Sequence, residues 1–314
     1  MSAMLQIEGL TKRFGGFTAV DNITFSVDRG EVLGFLGPNG AGKTTAMRMV
    51  TGYLPPTAGT AIVDGFDVTV DPIEVKHRIG YLPEGAPLYE DMTPLELLGF
   101  VADVRGMSGS SRRDAMERAA ARINIEHVLH QSIGTLSKGY KRRVGIAQAI
   151  LHDPDVLILD EPTDGLDPNQ KHEVRKLINE MAKDKAIVIS THLLEEVEVV
   201  CTRAIVIANG RIVADGSPAE LEARSVYHNA VIVRVSCERA ADCKARIETL
   251  EGVAKVELIS DSSPIAEVIA FPSDGRLILE QVNSELRGRG IAVEQIRVER
   301  GRLDEVFRRI TTSG

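Results

Sequence analysis

The sequence is short of the devices that staple small secreted chains or anchor membrane-embedded ones. Cysteine is scarce: Cys201, Cys237 and Cys243 are widely spaced, odd in number and form no CxxC pair. That excludes a disulfide framework and fits a reduced compartment, with the thiols serving as small packed side chains. Long hydrophobic runs are also missing, since the strongly apolar stretches are strand-sized and too short to span a bilayer. The opening MSAMLQIEGL has no charged segment followed by an apolar core, so no secretory signal is expected. Positive charge is in deficit, 37 Lys and Arg against 45 Asp and Glu, for a formal net charge of −8. That balance argues against a general nucleic-acid binder. The 314 residues, 43% hydrophobic and 26% charged, are ordinary for a globular protein and allow two domains or one large domain with an appendage.

The first hundred residues read as strands punctuated by one helix. MLQIEGL alternates, AVDNITFSVDRGE reads as a second strand, and EVLGFLG is an apolar strand ending in glycines. KTTAMRMVTG then reads as a helix with Met47, Met49 and Val50 inward. Residues 94–130 take helical spacing, and 139–151 form a further helix through Val144, Ala147 and Ile150. VLILD and AIVIST are apolar on both faces, as buried parallel strands are. Asn209–Gly210 marks a hairpin turn within AIVIANGRIVADG. Beyond about residue 225 the order β-α-β-β-α-β matches a ferredoxin-like unit, closed by a helix at 302–311.

Two stretches carry chemistry. GPNGAGKTT (37–45) follows an apolar strand and opens a helix, and it fits G-x-x-x-x-G-K-[ST]. Glycines let backbone N–H groups close on phosphates, and the helix N-terminus adds a favourable dipole. Gly37, Pro38, Asn39, Gly40, Ala41, Gly42, Lys43, Thr44 and Thr45 are therefore the candidate phosphate cradle. Lys43 is expected to reach the terminal phosphates and the Thr44 hydroxyl to ligate Mg²⁺. The second stretch is LILDEPTDGLDP (157–168), an apolar strand that runs straight into Asp160 and Glu161. Burying such charge requires compensation, which Mg²⁺ at Asp160 and the phosphates would supply. Glu161 is placed to orient or deprotonate a water.

These motifs together resemble the ATP-binding cassette (ABC) ATPases over residues 4 to about 220. LSKGY (136–140) resembles the signature segment, DGLD (164–167) the D-loop, and STH (190–192) the switch-histidine segment. The resemblance implies an α/β P-loop NTPase domain over 1–224, with a helical subdomain at about 85–150 and the ferredoxin-like accessory domain over 225–314. It further implies that Phe14 lies against adenine, that His192 contacts the γ-phosphate and helps hold Glu161 and the water in line, and that Asp167 reaches across the dimer and couples the two sites. Ser137 and Gly139 would complete the site of a second subunit. ATP and Mg²⁺ are the implied cofactors. The partners would be a second copy, or a related ATPase chain, and a separately encoded integral membrane permease. The location would be the cytoplasmic face of the membrane, with no nucleic-acid partner.

Three positions depart from the family pattern. Glu84, in GYLPEGAPLY, stands where most members have glutamine; a carboxylate there can still reach Mg²⁺ or its water, and the ABC-2 exporters share it. The signature has Lys138 and Tyr140 where glycine and glutamine are usual. Lys138 either attracts nucleotide or joins a solvated basic face with Lys141, Arg142 and Arg143, the latter being the expectation here. The motif set and the GRLDEVFRRI tail look like the ABC-2 exporter and gliding-motility branch, so a transporter motor is the leading function. A non-transport ABC ATPase is the alternative, and a small-ligand role for 225–314 competes with a packing role.

Overall fold

The computed structural model describes residues 3–85, 88–262 and 264–312. Ala86 and Pro87, within the Glu84 segment, lie outside the described residues. The chain forms two compact units, one of Met1–Pro218 with the end of the chain from Ile310, the other of Ala219–Arg309.

In the first unit β1 (Leu5–Phe14) and β2 (Phe17–Val27) make a long hairpin, followed by β3 (Val32–Leu36) and α1 (Lys43–Val50). Next come β4 (Ala58–Val63), β5 (Phe66–Asp67), α2 (Pro72–Arg78) and β6 (Ile79–Leu82). Helices α3 (Pro94–Val104), α4 (Gly109–Arg122) and α5 (Lys138–Ile150) form the helical subdomain. The chain then runs through β7 (Val156–Asp160), α6 (Pro168–Ala182), β8 (Ala186–Thr191), α7 (Leu194–Val200), β9 (Arg203–Ala208) and β10 (Arg211–Gly216). One sheet is antiparallel with order β2-β1-β4-β5; the other has order β10-β9-β3-β8-β7-β6.

Every residue of β3, β7 and β8 is buried, which explains why these strands read as unbroken apolar runs. They lie side by side and parallel, with Leu36 opposite Thr191 and Asp160 opposite Ser190. Parallel β6 adds Leu82 opposite Leu159. Four strands therefore deliver their carboxyl ends, and the residues that follow them, to one edge of the sheet. In open α/β sheets this edge is where ligands bind. Met47, Met49 and Val50 of α1 are buried in the core, as their spacing predicts.

No periodicity in the sequence announces the short helix α2. Only Val75 of it is buried, so it carries no apolar face, and Pro72 at its first position starts it instead. Asn209 and Gly210 both take positive φ, 50° and 77°, and turn β9 into β10. Both angles match the turn chemistry expected of an Asn-Gly pair.

A short α8 (Pro218–Glu222) precedes the second unit's β11 (Val231–Ser236), α9 (Cys237–Glu248), β12 (Val253–Ser262), β13 (Ile265–Pro272), α10 (Leu279–Gly288), β14 (Val293–Val298) and α11 (Leu303–Thr312). The antiparallel order β12-β13-β11-β14 is that of a ferredoxin-like unit. Cys243, Ile247, Val282 and Leu286 from the two long helices cover one face of the sheet. Helix α9 starts at Cys237, earlier than its apolar spacing suggests, because β11 runs into it through Ser236 without a loop.

Candidate nucleotide site at the carboxyl edge of the sheet

Gly37 follows β3, Glu161 follows β7 and His192 follows β8, so strand register alone gathers three candidate residues. Glu84 lies two residues beyond the end of β6, beside them. The loop from Gly37 to Gly42 is shaped for close backbone approach. A methyl on Gly37 would meet the Ile207 carbonyl oxygen at 2.5 Å, and one on Gly42 would meet that of Ala19 at 2.4 Å. Gly40 and Gly42 take φ of 81° and 106°, a region that L side chains rarely adopt. Pro38, Asn39 and Gly40 form the exposed rim, Ala41 is buried, and Thr44 and Thr45 are half-buried in the first turn of α1.

Lys43 is 7% exposed. Its ammonium donates to the carbonyl oxygens of Gly37 at 2.6 Å and Pro38 at 3.2 Å. Burial pushes its pKa below the usual lysine value, while the Glu161, Asp160 and Glu84 carboxylates pull it back up. The lysine of the cradle thus shares one electrostatic environment with all three acidic candidates.

Asp160 and Glu161 are 1% and 9% exposed. Glu161 Oε1 pairs with His192 Nδ1 at 2.9 Å, and its backbone N–H donates to the Ser190 carbonyl at 2.8 Å. Asp160 Oδ2, Glu161 Oε2, Ser190 Oγ and Thr163 Oγ1 are buried and have no hydrogen-bond partner among the described residues. Buried carboxylate oxygens are not left so unless a ligand, a cation or water takes them. Among the described residues no three His, Cys, Asp or Glu side chains are grouped as a self-sufficient metal site. That suits Mg²⁺, which uses one or two carboxylates together with phosphate oxygens and water. Thr44, Asp160 and Glu84 fit such a role.

Phe14 ends β1, half exposed, with the Lys12 ammonium 5.3 Å from its ring centre. It pairs with Phe17, two residues before the Ala19 that backs Gly42, so Phe14 belongs to the same hairpin that backs the cradle.

Ser137 and Gly139 lie at the start of α5. Ser137 is the N-cap of α5, its hydroxyl accepting from Tyr140 N–H at 3.4 Å. Asp167 is likewise the N-cap of α6, in a capping box with Gln170. Gly139 abuts that box: a methyl on it would meet the Gln170 side chain at 2.5 Å. No hydrogen bond among the described residues joins Ser137, Gly139 or Asp167 to the cradle of the same chain.

Only part of the expected basic face is solvated: Lys138 is exposed, but the basic residues after it are engaged by the protein. Arg142 is 6% exposed and donates to the carbonyls of Asp160 at 2.8 Å and Pro162 at 3.1 Å. Arg143 pairs with Glu173 and stands against the Tyr140 ring, and Lys141 pairs with Glu90 at 2.9 Å. Arg142 lies on the stripe of Gly139, Ile146 and Ala149, all buried, a helical spacing that marks it as inward-facing. The phase of α5, rather than the charge of the run, is the signal in the sequence that finds it.

Comparison with known proteins agrees with this architecture. The ABC transporter family profile matches residues 20–164. The Nod factor export ATP-binding protein I of Ralstonia nicotianae is 39% identical over 219 residues, covering 69% of this chain and 68% of that protein. The chain belongs to the ABC transporter ATP-binding proteins. A protein named "Probable multidrug ABC transporter ATP-binding protein YbhF", from Escherichia coli, is 35% identical over 223 residues, 71% of this chain but only 38% of YbhF's length. The solved structure of cbiO1 from Clostridium perfringens, part of the ABC transporter complex cbiONQ, superposes with a TM-score of 0.65 at 31% identity. That superposition covers 71% of this chain and 92% of cbiO1. The first unit is thus an ABC ATPase cassette.

Proposed function

We propose that the protein is the ATP-hydrolysing motor subunit of an ABC-2-type exporter. The observation that carries this reading is the pair of buried carboxylates, Asp160 and Glu161, presenting partnerless oxygens beside Lys43 and the glycine cradle. Backbone N–H groups of 37–45 and Lys43 hold the phosphates of ATP, with Phe14 against the adenine. Thr44 and Asp160, with Glu84 beside them, would hold Mg²⁺, whose charge would offset that of the phosphates. Glu161 takes a proton from a water whose oxygen bonds to the γ-phosphorus as the bond to the ADP oxygen breaks. His192 holds the Glu161 carboxylate through Nδ1, which fixes the direction of proton transfer.

Two copies, or this chain and a related one, would close on two ATP molecules, each supplying Ser137, Gly139 and Asp167 to the other's site. That no hydrogen bond among the described residues ties these three to the cradle of their own chain is consistent with that reading. No helix among the described residues is long and apolar enough to cross a membrane, so the transport path is assigned to a separate permease. A cleft lined by Ile73, Lys76, Val101, Val104 and Arg105, with Tyr53, Ile73 and Val104 largely exposed, lies between the core and the helical subdomain and suits such a partner. The protein would then sit on the cytoplasmic face of the membrane. Export as the direction draws on the printed function of the Ralstonia relative.

The test is to purify tagged Glu161→Gln protein with ATP from detergent-solubilised native membranes and identify what accompanies it. A polytopic membrane protein in stoichiometric amount is expected. Ribosomal or DNA-bound partners, or this chain alone, would overturn the transporter reading in favour of a non-transport ABC ATPase.

A further inference from the structure

Glu161 has an unusual backbone. Its φ is 51°, in the left-handed region, which a side chain of this size occupies only where its surroundings hold it there. The residue that follows is Pro162, which has no N–H to donate. Within the turn the Glu161 carbonyl accepts from the Asp164 N–H at 3.2 Å, and further holds come from outside it. Ser190 of β8 accepts from the Glu161 N–H, and Arg142 of α5 donates to the carbonyls immediately before and immediately after Glu161.

Arg142 makes these two contacts through Nε and one terminal nitrogen, two donors on one edge of a rigid planar group. Arginine spans two carbonyls of a turn in this way, whereas a lysine ammonium, a point donor on a flexible stem, does not hold their relative orientation. Desolvation of the guanidinium is opposed by Asp164, Asp160, Glu161 and Glu196, so the buried cation also answers the acidic cluster around it. On the same helix Ser137 is the N-cap, five residues earlier. The neighbouring Arg143 braces α5 against α6 through Glu173.

We propose that Arg142 is a positioning residue for hydrolysis, clamping the carbonyls on either side of Glu161 so that the carboxylate is held in its working direction. The clamp also ties that turn to the helix whose first turn carries Ser137, so a ligand at the signature end of α5 bears on the catalytic turn of the same chain. This inference rests on the proposed role of Glu161 as the group that accepts the proton of water.

The experiment compares Arg142→Lys, Arg142→Gln and Arg142→Met with wild type in the full chain. Phosphate release is followed over a range of ATP concentrations, with nucleotide affinity and thermal midpoint measured on the same preparations. Expected is a fall in kcat of about tenfold or more for both the Lys and Met variants, with KM and ATP affinity within about twofold. An equal fall in the Lys variant separates the clamp from a simple charge effect, because Lys keeps the charge. The Gln variant, which keeps amide donors, should fall less.

A wild-type kcat in the Lys and Met variants would overturn the proposal, as would a loss carried entirely by KM. Should the Met variant not fold, the Lys variant, which keeps the stem and the charge, decides between these outcomes. Glu161→Gln run alongside separates the two levels. If it turns over normally, the assignment of Glu161 fails; if it is inactive while the Arg142 variants match wild type, only the clamp fails.

Discussion

His192 Nδ1 lies 2.9 Å from Glu161 Oε1, although 31 residues separate the two in the chain. Each is the first residue after a strand, and the strands are parallel neighbours with Asp160 opposite Ser190. The pair is therefore a product of sheet register. Removing the imidazole in His192→Ala should leave the carboxylate free to swing and lower turnover by about a hundredfold, with ATP affinity within a few-fold. Steady-state phosphate release set beside equilibrium nucleotide binding checks this, and wild-type turnover would take His192 out of the mechanism.

Cradle glycines should not be equivalent. Gly37→Ala and Gly42→Ala drive a methyl into backbone carbonyls at 2.5 and 2.4 Å, so both should lose nucleotide binding and several degrees of thermal midpoint. Gly40→Ala meets nothing within 4 Å and carries only the strain of φ 81°, about 1–2 kcal/mol. Thermal unfolding with and without ATP ranks the three; a Gly40 variant as damaged as the others would show that open space is not what distinguishes them.

Gly139→Ala should act through Gln170. The added methyl displaces the amide and opens the capping box at the start of α6, at a cost of about 1 kcal/mol. In a Gln170→Ala background the same change should cost almost nothing, since the obstructing side chain is gone. Urea unfolding of the two single variants and the double variant closes the cycle, and strict additivity would count against the contact.

His152 supplies a pH dependence. Burial, with Arg105 nearby as a secondary cause, lowers its pKa to about 4 from 6.5, and Nε2 faces the Ile79 carbonyl at 3.1 Å. Between those values the unfolded chain binds a proton that the folded chain refuses. Its contribution to stability is therefore present above 6.5 and lost as pH falls toward 4. The loss between pH 7 and pH 5 should be about 2 kcal/mol, and His152→Asn should remove that share of the slope. Urea midpoints at the two pH values measure it, and an unchanged slope in the variant would refute it.

Much of the site is legible in the sequence. GPNGAGKTT between a strand and a helix, and VLILD running into Glu161, are readable because phosphate cradles and buried parallel strands impose local rules on residue type. The compensation of the acidic cluster is legible only in part. Local motifs point to Mg²⁺ and phosphates as the partners of Asp160 and Glu161, but Lys43 and Arg142 also place buried positive charge beside them.

By itself the sequence determined the family, the two-unit order of elements, the glycine cradle, the Asn209–Gly210 hairpin and the acidic end of β7. Each depends on backbone preferences or apolar periodicity within a few residues. Tertiary structure alone decided that Gly139 packs on Gln170 and that Arg142 reaches the carbonyls of the residues on either side of Glu161. Those relationships depend on where α5 sits against α6 and against the end of β7. Both are set by packing between segments far apart in the chain, where local patterns carry no information about distance.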